Sequence, residues 1–314
     1  MTQILNPPPT VAPAKRRKRT QRVAVPAKAP TVGQLIIHFG LLLCAMSFLT
    51  PLVLVVSASF SSEKSIADNG YALVPGQFST RAYQYLLTDP SQLIQAYAVS
   101  IFVTFVGTAF SVLIMALLGY VLSRRDFRPR RGLAFYVLFT MLFSGGLVPS
   151  YILMTQYLHL QNNILALMLP YLVVPWNVLL LRTFFMQLPV GVIEAARVDG
   201  AGEWRTFFQV VLPMSTPAIA TIGMFTMLMY WNDWWLGLLY ISDANLSPVQ
   251  LWLYKIMSNI DAFSTNPMLG GVGDTPVQSL RMAIAVLAIG PVIIAFVFLQ
   301  KYFVRGLTLG GVRE

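Results

Sequence analysis

Glu194-Ala195-Ala196-Arg197-Val198-Asp199-Gly200 is followed after nine residues by Val210-Val211-Leu212-Pro213, and this polar stretch lies between two long apolar runs. Pro189 stands where a helix can begin, since the first turn does not use the N–H that proline lacks. Gly200 stands where one can end, because glycine accepts the left-handed cap conformation. The punctuation therefore predicts a first short helix over roughly 190–199. Ala195 and Ala196 are small enough for another protein's surface to approach closely, with Glu194 and Arg197 beside them. A second short helix follows, with Trp204, Phe207, Phe208 and Val211 at i, i+3, i+4 and i+7. That stripe suits a helix lying along a membrane or packed on helix ends. A plain solvated connector would need neither the double punctuation nor the small-residue face, so the stretch reads as a docking loop.

The apolar runs on either side set the class. The 314 residues are 56% hydrophobic and only 11% charged, with a mean hydropathy of +0.65. Soluble domains carry about 25% charged residues, so this is an integral membrane protein, all-α and polytopic. The net charge of +10 raises nucleic acid as a partner, but no zinc, helix-turn-helix or RNP pattern accompanies it. Cys44, the single cysteine, excludes a disulfide framework and reads as buried apolar filler rather than a ligand or nucleophile.

Residues 1–30 are rich in Pro, Ala, Lys and Arg, with Lys15-Arg16-Arg17-Lys18-Arg19 at the centre. They contain no apolar period to bury and read as a disordered basic tail attracted weakly to anionic head groups. Residues 31–314 then form one transmembrane domain. A span needs about 20 apolar residues, which places spans at about 35–58, 93–123, 133–152, 164–185, 217–241 and 280–303. Gly132 to Leu181 contains no Asp, Glu, Lys or Arg, too long a run for one crossing, and Gln161-Asn162-Asn163 divides it. Ser144-Gly145-Gly146-Leu147-Val148-Pro149 ends or bends the third span, with a short helix at about 150–159 beyond it. Pro170 and Pro175 kink the fourth, which a bundle tolerates when neighbours satisfy the freed carbonyls. Val304 to Glu314 reads as a polar, Gly-rich tail.

Six crossings put both termini on one side. The two tails, the loop Arg124–Arg131 and the docking loop together hold 18 of the 22 Lys and Arg, against Lys64, Arg81, Lys255 and Arg281 in the opposite segments. By the positive-inside rule the tails and the Glu194 loop are cytoplasmic. No 34- or 45-residue repeat and no paired broken-helix repeat is visible.

No lysine follows a glycine and precedes Ser or Thr, so the chain has no P-loop to hold nucleotide phosphates. His38 and His159 are isolated, no metal spacing occurs, and no catalytic triad can be assembled. The chain is not an enzyme on its own and binds no cofactor. Asp233, within Tyr230-Trp231-Asn232-Asp233-Trp234-Trp235, is the one ionisable residue expected inside a span. It lies about 24 Å along a span that starts near 217, at 1.5 Å per residue. A proton-coupled carrier needs several such groups nearer the midplane, which weighs against a stand-alone secondary carrier. Tyr230, Trp231, Asn232 and Asp233 suit a sugar, whose faces stack on aromatics and whose hydroxyls need donors and acceptors. An interfacial aromatic belt explains the same residues equally well.

Glu194, Ala195, Ala196, Gly200, Val210, Leu212 and Pro213 together fill the pattern E-A-A-x3-G-x9-[IV]-x-L-P. This resembles the EAA motif of permease subunits in bacterial binding-protein-dependent ABC importers. Arg182-Thr183-Phe184-Phe185-Met186-Gln187-Leu188-Pro189 and Trp231-Asn232-Asp233 look like the maltose-type, carbohydrate branch. Ser144-Gly145-Gly146 and Leu160-Gln161-Asn162-Asn163 look like its oligosaccharide group, which includes alginate importer permeases. The resemblance runs from the first span onward and omits the basic tail. It implies a bacterial cytoplasmic-membrane protein that pairs with a second, homologous permease, two ATPase subunits and an extracytoplasmic solute-binding protein. ATP and Mg would sit on the ATPases, and the helix at Glu194, Ala195, Ala196, Arg197, Asp199 and Gly200, with Leu212 and Pro213 behind it, would couple them to transport. A permease for amino acids or metal ions shares the same loop and is the nearest alternative. A non-transporting membrane scaffold that uses the loop to hold a cytoplasmic partner is another.

Overall fold

The computed structural model describes residues 31–88, 90–265 and 276–310, with side chains described for all of these but 263–265 and 298–310. The expected 1–30 tail, residues 266–275 of the polar segment before the last span, and the final four residues lie outside the described residues. The chain divides into two units, one ending at Leu49 and one running from Thr50; the packing below belongs to the second.

All regular elements among the described residues are helical. Three helices are long and apolar enough to cross a bilayer unaided: α1 (Val32–Ser59), α4 (Pro90–Ser123) and α14 (Val277–Gly310), the last through its Val277–Val297 part. Between α1 and α4 lie two short helices, α2 (Glu63–Asn69) and α3 (Arg81–Leu86). Residues Val32 to Leu49 of α1 carry a series of exposed Leu, Ile and Phe. Cys44 is exposed among them rather than buried, as every residue from 31 to 53 is.

The remaining apolar sequence forms bent pairs, and proline and glycine explain each bend. α5 (Arg130–Leu142) stops at Phe143, and α6 (Leu147–Ile152), extended by a π-turn to Tyr157, leaves at 111°. Gly146 sits in the break at φ +86°, a conformation that L side chains rarely adopt. The helix from Arg130 thus ends at Leu142, within the expected 133–152, and the next helix starts at Leu147 rather than near 150. Two 3₁₀ turns, Ile164–Leu167 and Leu169–Tyr171, precede α7 (Pro175–Phe185), with a 50° bend. Val174 is extended, as a residue before proline tends to be, so Pro170 and Pro175 break this segment rather than merely kinking it.

After α8 (Val190–Val198) come α9 (Glu203–Thr206), a π-turn (Phe207–Val211) and α10 (Leu212–Met214), bent by 83° from α11 (Thr216–Trp231). Pro213 accounts for the π-turn: it cannot donate to the carbonyl four residues back, and its ring crowds that carbonyl, so the turn widens. Leu212 N–H bonds to Phe207 O accordingly. α12 (Trp235–Tyr240), a 3₁₀ turn (Ala244–Leu246) and α13 (Val249–Thr265) lead to α14. The expected polar tail from Val304 is helical as far as Gly310. Nothing from Val304 to Gly310 is a proline, and an interior glycine such as Gly306 costs a helix only about 1 kcal/mol.

α4 is the central rod, packed chiefly on α11 and α7, while α14 packs on α11, α3 and α13. Small residues set the closest approaches. A Cβ at Gly107 would meet the Tyr230 ring at 2.9 Å, and one at Gly119 would meet Leu181 Cβ at 3.0 Å. Membrane helices commonly use glycine in this way to bring backbones together. The core forms three clusters along the bundle. One, around Met115, Val178, Leu181, Phe207 and Val211, lies behind α8. Another, around Trp231, Leu253, Leu280 and Ala283, draws on α3, α4, α11, α13 and α14.

The start of α14 is held from a distance. The Glu63 carboxylate of α2 accepts the Gln278 N–H with both oxygens at 3.0 Å and the Ser279 N–H at 3.2 Å. These are orphan donors of a helix first turn, and a carboxylate there also opposes the helix dipole favourably. Glu63→Ala is expected to lower stability by about 1–2 kcal/mol, measured as thermal unfolding in detergent, with Glu63→Gln intermediate.

Candidate functional site

The docking stretch forms the elements expected of it. α8 ends in a paired cap: Ala201 N–H bonds to Ala196 O at 2.9 Å and Gly200 N–H to Arg197 O at 3.0 Å. Gly200 has φ +78°. This is the Schellman arrangement, which needs a left-handed residue one place beyond the cap, so Gly200 is required by backbone geometry. No atom lies within 4 Å of a Cβ built there. Glu194, Ala195, Arg197 and Asp199 are exposed, Ala196 is half-buried, and Val198 is 87% exposed.

Behind α8 lies a recess of about 310 Å³, lined by Ser123, Arg125, Met186, Leu188, Ile193 and Glu194 among others. The expected stripe on the second helix separates into two rows. Phe207 and Val211 are fully buried in the core. Trp204 and Phe208 are exposed and stack on each other, with centroids 6.1 Å apart. The π-turn changes the helical period within the stripe, so one face becomes two. Leu212 is partly buried against the core and Pro213 shapes the turn.

Three residues with no place in the sequence reading, Tyr120, Asp126 and Glu203, complete this end of the bundle. Arg197 Nη2 donates to Asp126 Oδ2 at 2.7 Å and also to Glu203 Oε1. Arg124 holds Asp126 in a fork, Nε to Oδ1 at 3.1 Å and Nη2 to Oδ2 at 2.9 Å, and stands 3.5 Å from Glu203 Oε1. Tyr120 OH donates to Glu203 Oε2 at 3.0 Å, and the Arg124 guanidinium lies over the Tyr120 ring. Asp126 was visible as the lone acid in an arginine-rich loop, but its partner stands 71 positions away.

The aromatic segment is a structural joint. Tyr230, 4% exposed, shares a hydrogen bond with Ser111 Oγ at 2.8 Å and donates to Met168 O at 2.9 Å. Asp233 lies in the break between α11 and α12. It accepts Tyr171 OH at 2.8 Å and Leu236 N–H at 3.2 Å, the latter capping α12. Asn232 is exposed and bonds back to Leu228 O. Trp231, 6% exposed, donates its Nε1–H to Ala288 O at 3.1 Å. That carbonyl adjoins Leu287, whose own helical donor is removed by Pro291 and replaced by Tyr97 OH at 2.9 Å. Two side chains from α4 and α11 thus satisfy backbone groups at the proline of α14. Pro291 in an otherwise apolar run was the sequence signal that carbonyls nearby would need outside donors. Trp231→Phe keeps an aromatic ring but loses the donor and part of the buried volume; it is expected to cost about 1–3 kcal/mol, read from thermal unfolding in detergent.

Asn162, at φ +55°, accepts the Ser242 and Asp243 N–H groups through Oδ1 at 2.6 and 3.0 Å. Asn163 Oδ1 caps the following 3₁₀ turn through Leu165 N–H at 2.9 Å. The Gln161-Asn162-Asn163 break therefore fastens two loops.

A bundle of apolar helices of membrane-crossing length, with the exposed, glycine-capped α8 at one end, defines the class, that of integral membrane proteins. The chain belongs to the family of binding-protein-dependent transport system inner membrane components, whose model matches residues 96–309. The polygalacturonan/rhamnogalacturonan transport system permease protein YtcP of Bacillus subtilis is 36% identical over 280 residues, covering 89% of this chain and 97% of that protein. The trehalose/maltose transport system permease protein MalG of Thermococcus litoralis is 28% identical, covering 89% of this chain and 97% of MalG. A crystal structure of a bacterial ABC transporter involved in import of the acidic polysaccharide alginate contains a chain similar to this one. The TM-score is 0.73 at 28% identity, over 86% of this chain and 95% of that chain.

Proposed function

We propose that this chain is one of two related permease subunits of a bacterial ABC importer for an oligosaccharide, driven by ATP hydrolysis on partner subunits. In this reading the bundle crosses the cytoplasmic membrane six times, α1, α4 and α14 as single rods and the three bent pairs supplying the rest. Both termini and α8 face the cytoplasm, with an extracytoplasmic solute-binding protein delivering cargo to the other side. The positive-inside bias supports that orientation.

The observation that carries the reading is α8 itself. It is a short helix, closed by a glycine cap, that leaves Glu194, Ala195 and Val198 exposed and borders the buried cluster around Phe207 and Val211. A partner that grips it can move the core behind it as a unit. Two conformations of the bundle, biased by the nucleotide state of the partner, complete the mechanism. The relatives named above support carbohydrate as cargo, and the two whose names give acidic polysaccharides make oligouronates the first ligands to try. Asp233 is the ionisable side chain nearest the Tyr171–Tyr230 aromatics, and it is occupied by Tyr171 and the α12 cap.

The test is gentle detergent pull-down of the tagged chain, identification of its partners, and ATPase measurement with neutral and acidic oligosaccharides. A second permease, ATPase subunits and carbohydrate-stimulated hydrolysis are expected, with no hydrolysis by this chain alone. Hydrolysis by the chain alone, or uptake by it alone in vesicles on a proton or sodium gradient, would contradict the proposal.

A further inference from the structure

Four charged side chains at the α8 end of the bundle close a ring. Arg197 of α8 bonds Asp126, Asp126 is forked by Arg124, Arg124 faces Glu203, and Glu203 returns to Arg197. Signs alternate around it, so each charge has an opposite neighbour on both sides. Isolated surface ion pairs contribute little, because solvent screens them and long side chains lose freedom. This arrangement differs in two respects. Arg124 is only 12% exposed, and the Arg124–Asp126 contact is a two-point fork, the geometry in which guanidinium–carboxylate pairs are strongest and most directional.

The placement of the ring gives it a mechanical meaning. Arg124 follows directly on the last turn of α4, and Tyr120 within that turn binds both Arg124 and Glu203. Arg197 belongs to α8, and Glu203 opens α9 beyond the Gly200 cap. The covalent route from α8 leads to α7 on one side and toward α11 on the other; α4 has no short backbone connection to it. The ring joins the two through side chains instead. α4 also packs on both α7 and α11, so a pull delivered to its end reaches the whole bundle.

We propose that this ring ties α8 to the end of α4 and keeps the two together through the transport cycle, with Asp126 as a positioning residue that acts through Arg197. The proposal rests on the reading of α8 as the coupling helix. A coupled sliding contact, in which α8 moves past α4, is the opposed mechanism.

The experiment uses the complete importer in proteoliposomes and reads the ratio of cargo moved to ATP hydrolysed. Asp126→Asn is expected to lower that ratio about tenfold, within the ordinary range of coupling between sites. Asp126→Asn combined with Arg197→Gln is expected to do no further harm than the worse single variant, as members of one network behave. In a Cys44→Ser background, Asp126→Cys with Arg197→Cys should show the same low ratio, and a short bismaleimide joining the two thiols should restore it. Restoration by a covalent tie separates a mechanical role from misfolding, which a linker does not repair. A normal ratio in Asp126→Asn, or transport that works unlinked and stops on linking, would overturn the proposal. Failure of the underlying reading appears earlier and differently, as a chain that co-purifies with no ATPase subunit.

Discussion

Glu194→Lys and Gly200→Val are expected to insert in the membrane and assemble their helices, yet to lose transport about tenfold or more while ATP hydrolysis on the partner subunits becomes insensitive to cargo. The two act by different routes. Glu194 is exposed on α8 and lines the recess behind it, beside Arg125. Lysine there reverses the charge on a surface where a partner is proposed to sit, and leaves the core clusters untouched. Gly200 carries no contact that a side chain would violate, so valine fits sterically. Its cost is conformational: φ +78° is the left-handed region, which costs an L residue about 1–2 kcal/mol, and more for a β-branched one. The cap would open and α8 would fray at Ala196 and Arg197, whose carbonyls lose their partners. Gly200→Asn, which tolerates this region better, should retain most activity. Measuring uptake and cargo-stimulated hydrolysis on the same preparation distinguishes uncoupling from loss of assembly.

Gly119→Val should have the largest effect on the fold itself. A Cβ at this position meets Leu181 Cβ at 3.0 Å, Arg182 N at 3.2 Å and Val178 O at 3.3 Å. Two of those atoms are backbone, so rotation of a side chain cannot relieve the crowding. α4 and α7 must separate, opening the cluster of Met115, Val178, Leu181 and Phe207. Overpacking a close-packed core costs about 1–3 kcal/mol, and loss of neighbouring contacts adds to it. Thermal unfolding in detergent should fall sharply, and expression with it. Gly223→Ala provides the contrast: its nearest neighbour beyond the helix is Val112 Cγ2 at an ordinary 3.9 Å. That substitution should be neutral or slightly stabilising, since alanine is the better helix former.

The parts legible in the sequence are those written in local punctuation. Pro189 and Gly200 mark the bounds of α8 within a residue. Gly146, Pro170 and Pro175 mark the broken segments, because backbone conformations that only certain residues adopt leave local traces. Hydropathy located α1, α4 and α14 for the same reason: twenty apolar residues in succession have few other uses. What the sequence did not disclose depends on residues far apart. The Asp126–Arg197 contact spans 71 positions, and nothing in the arginine-rich loop named its partner. Trp231 looked equally suited to cargo and to an interfacial belt; its indole instead supports a carbonyl beside Pro291, 57 positions on. Val304–Gly310 read as a tail because of its polarity and glycines, and helix propagation from the preceding turn outweighed them.

The proposal that α8 is gripped by an ATPase subunit is tested most directly by photo-cross-linking from its outermost residue. A benzophenone maleimide on Val198→Cys, with Cys44→Ser as background, is irradiated in the assembled importer, and the products are separated by size and sequenced. A covalent product with an ATPase subunit, weakened when Glu194→Lys is added, is the predicted result. Absence of any product with an ATPase subunit, or a product with the solute-binding protein on the opposite face of the membrane, would contradict it.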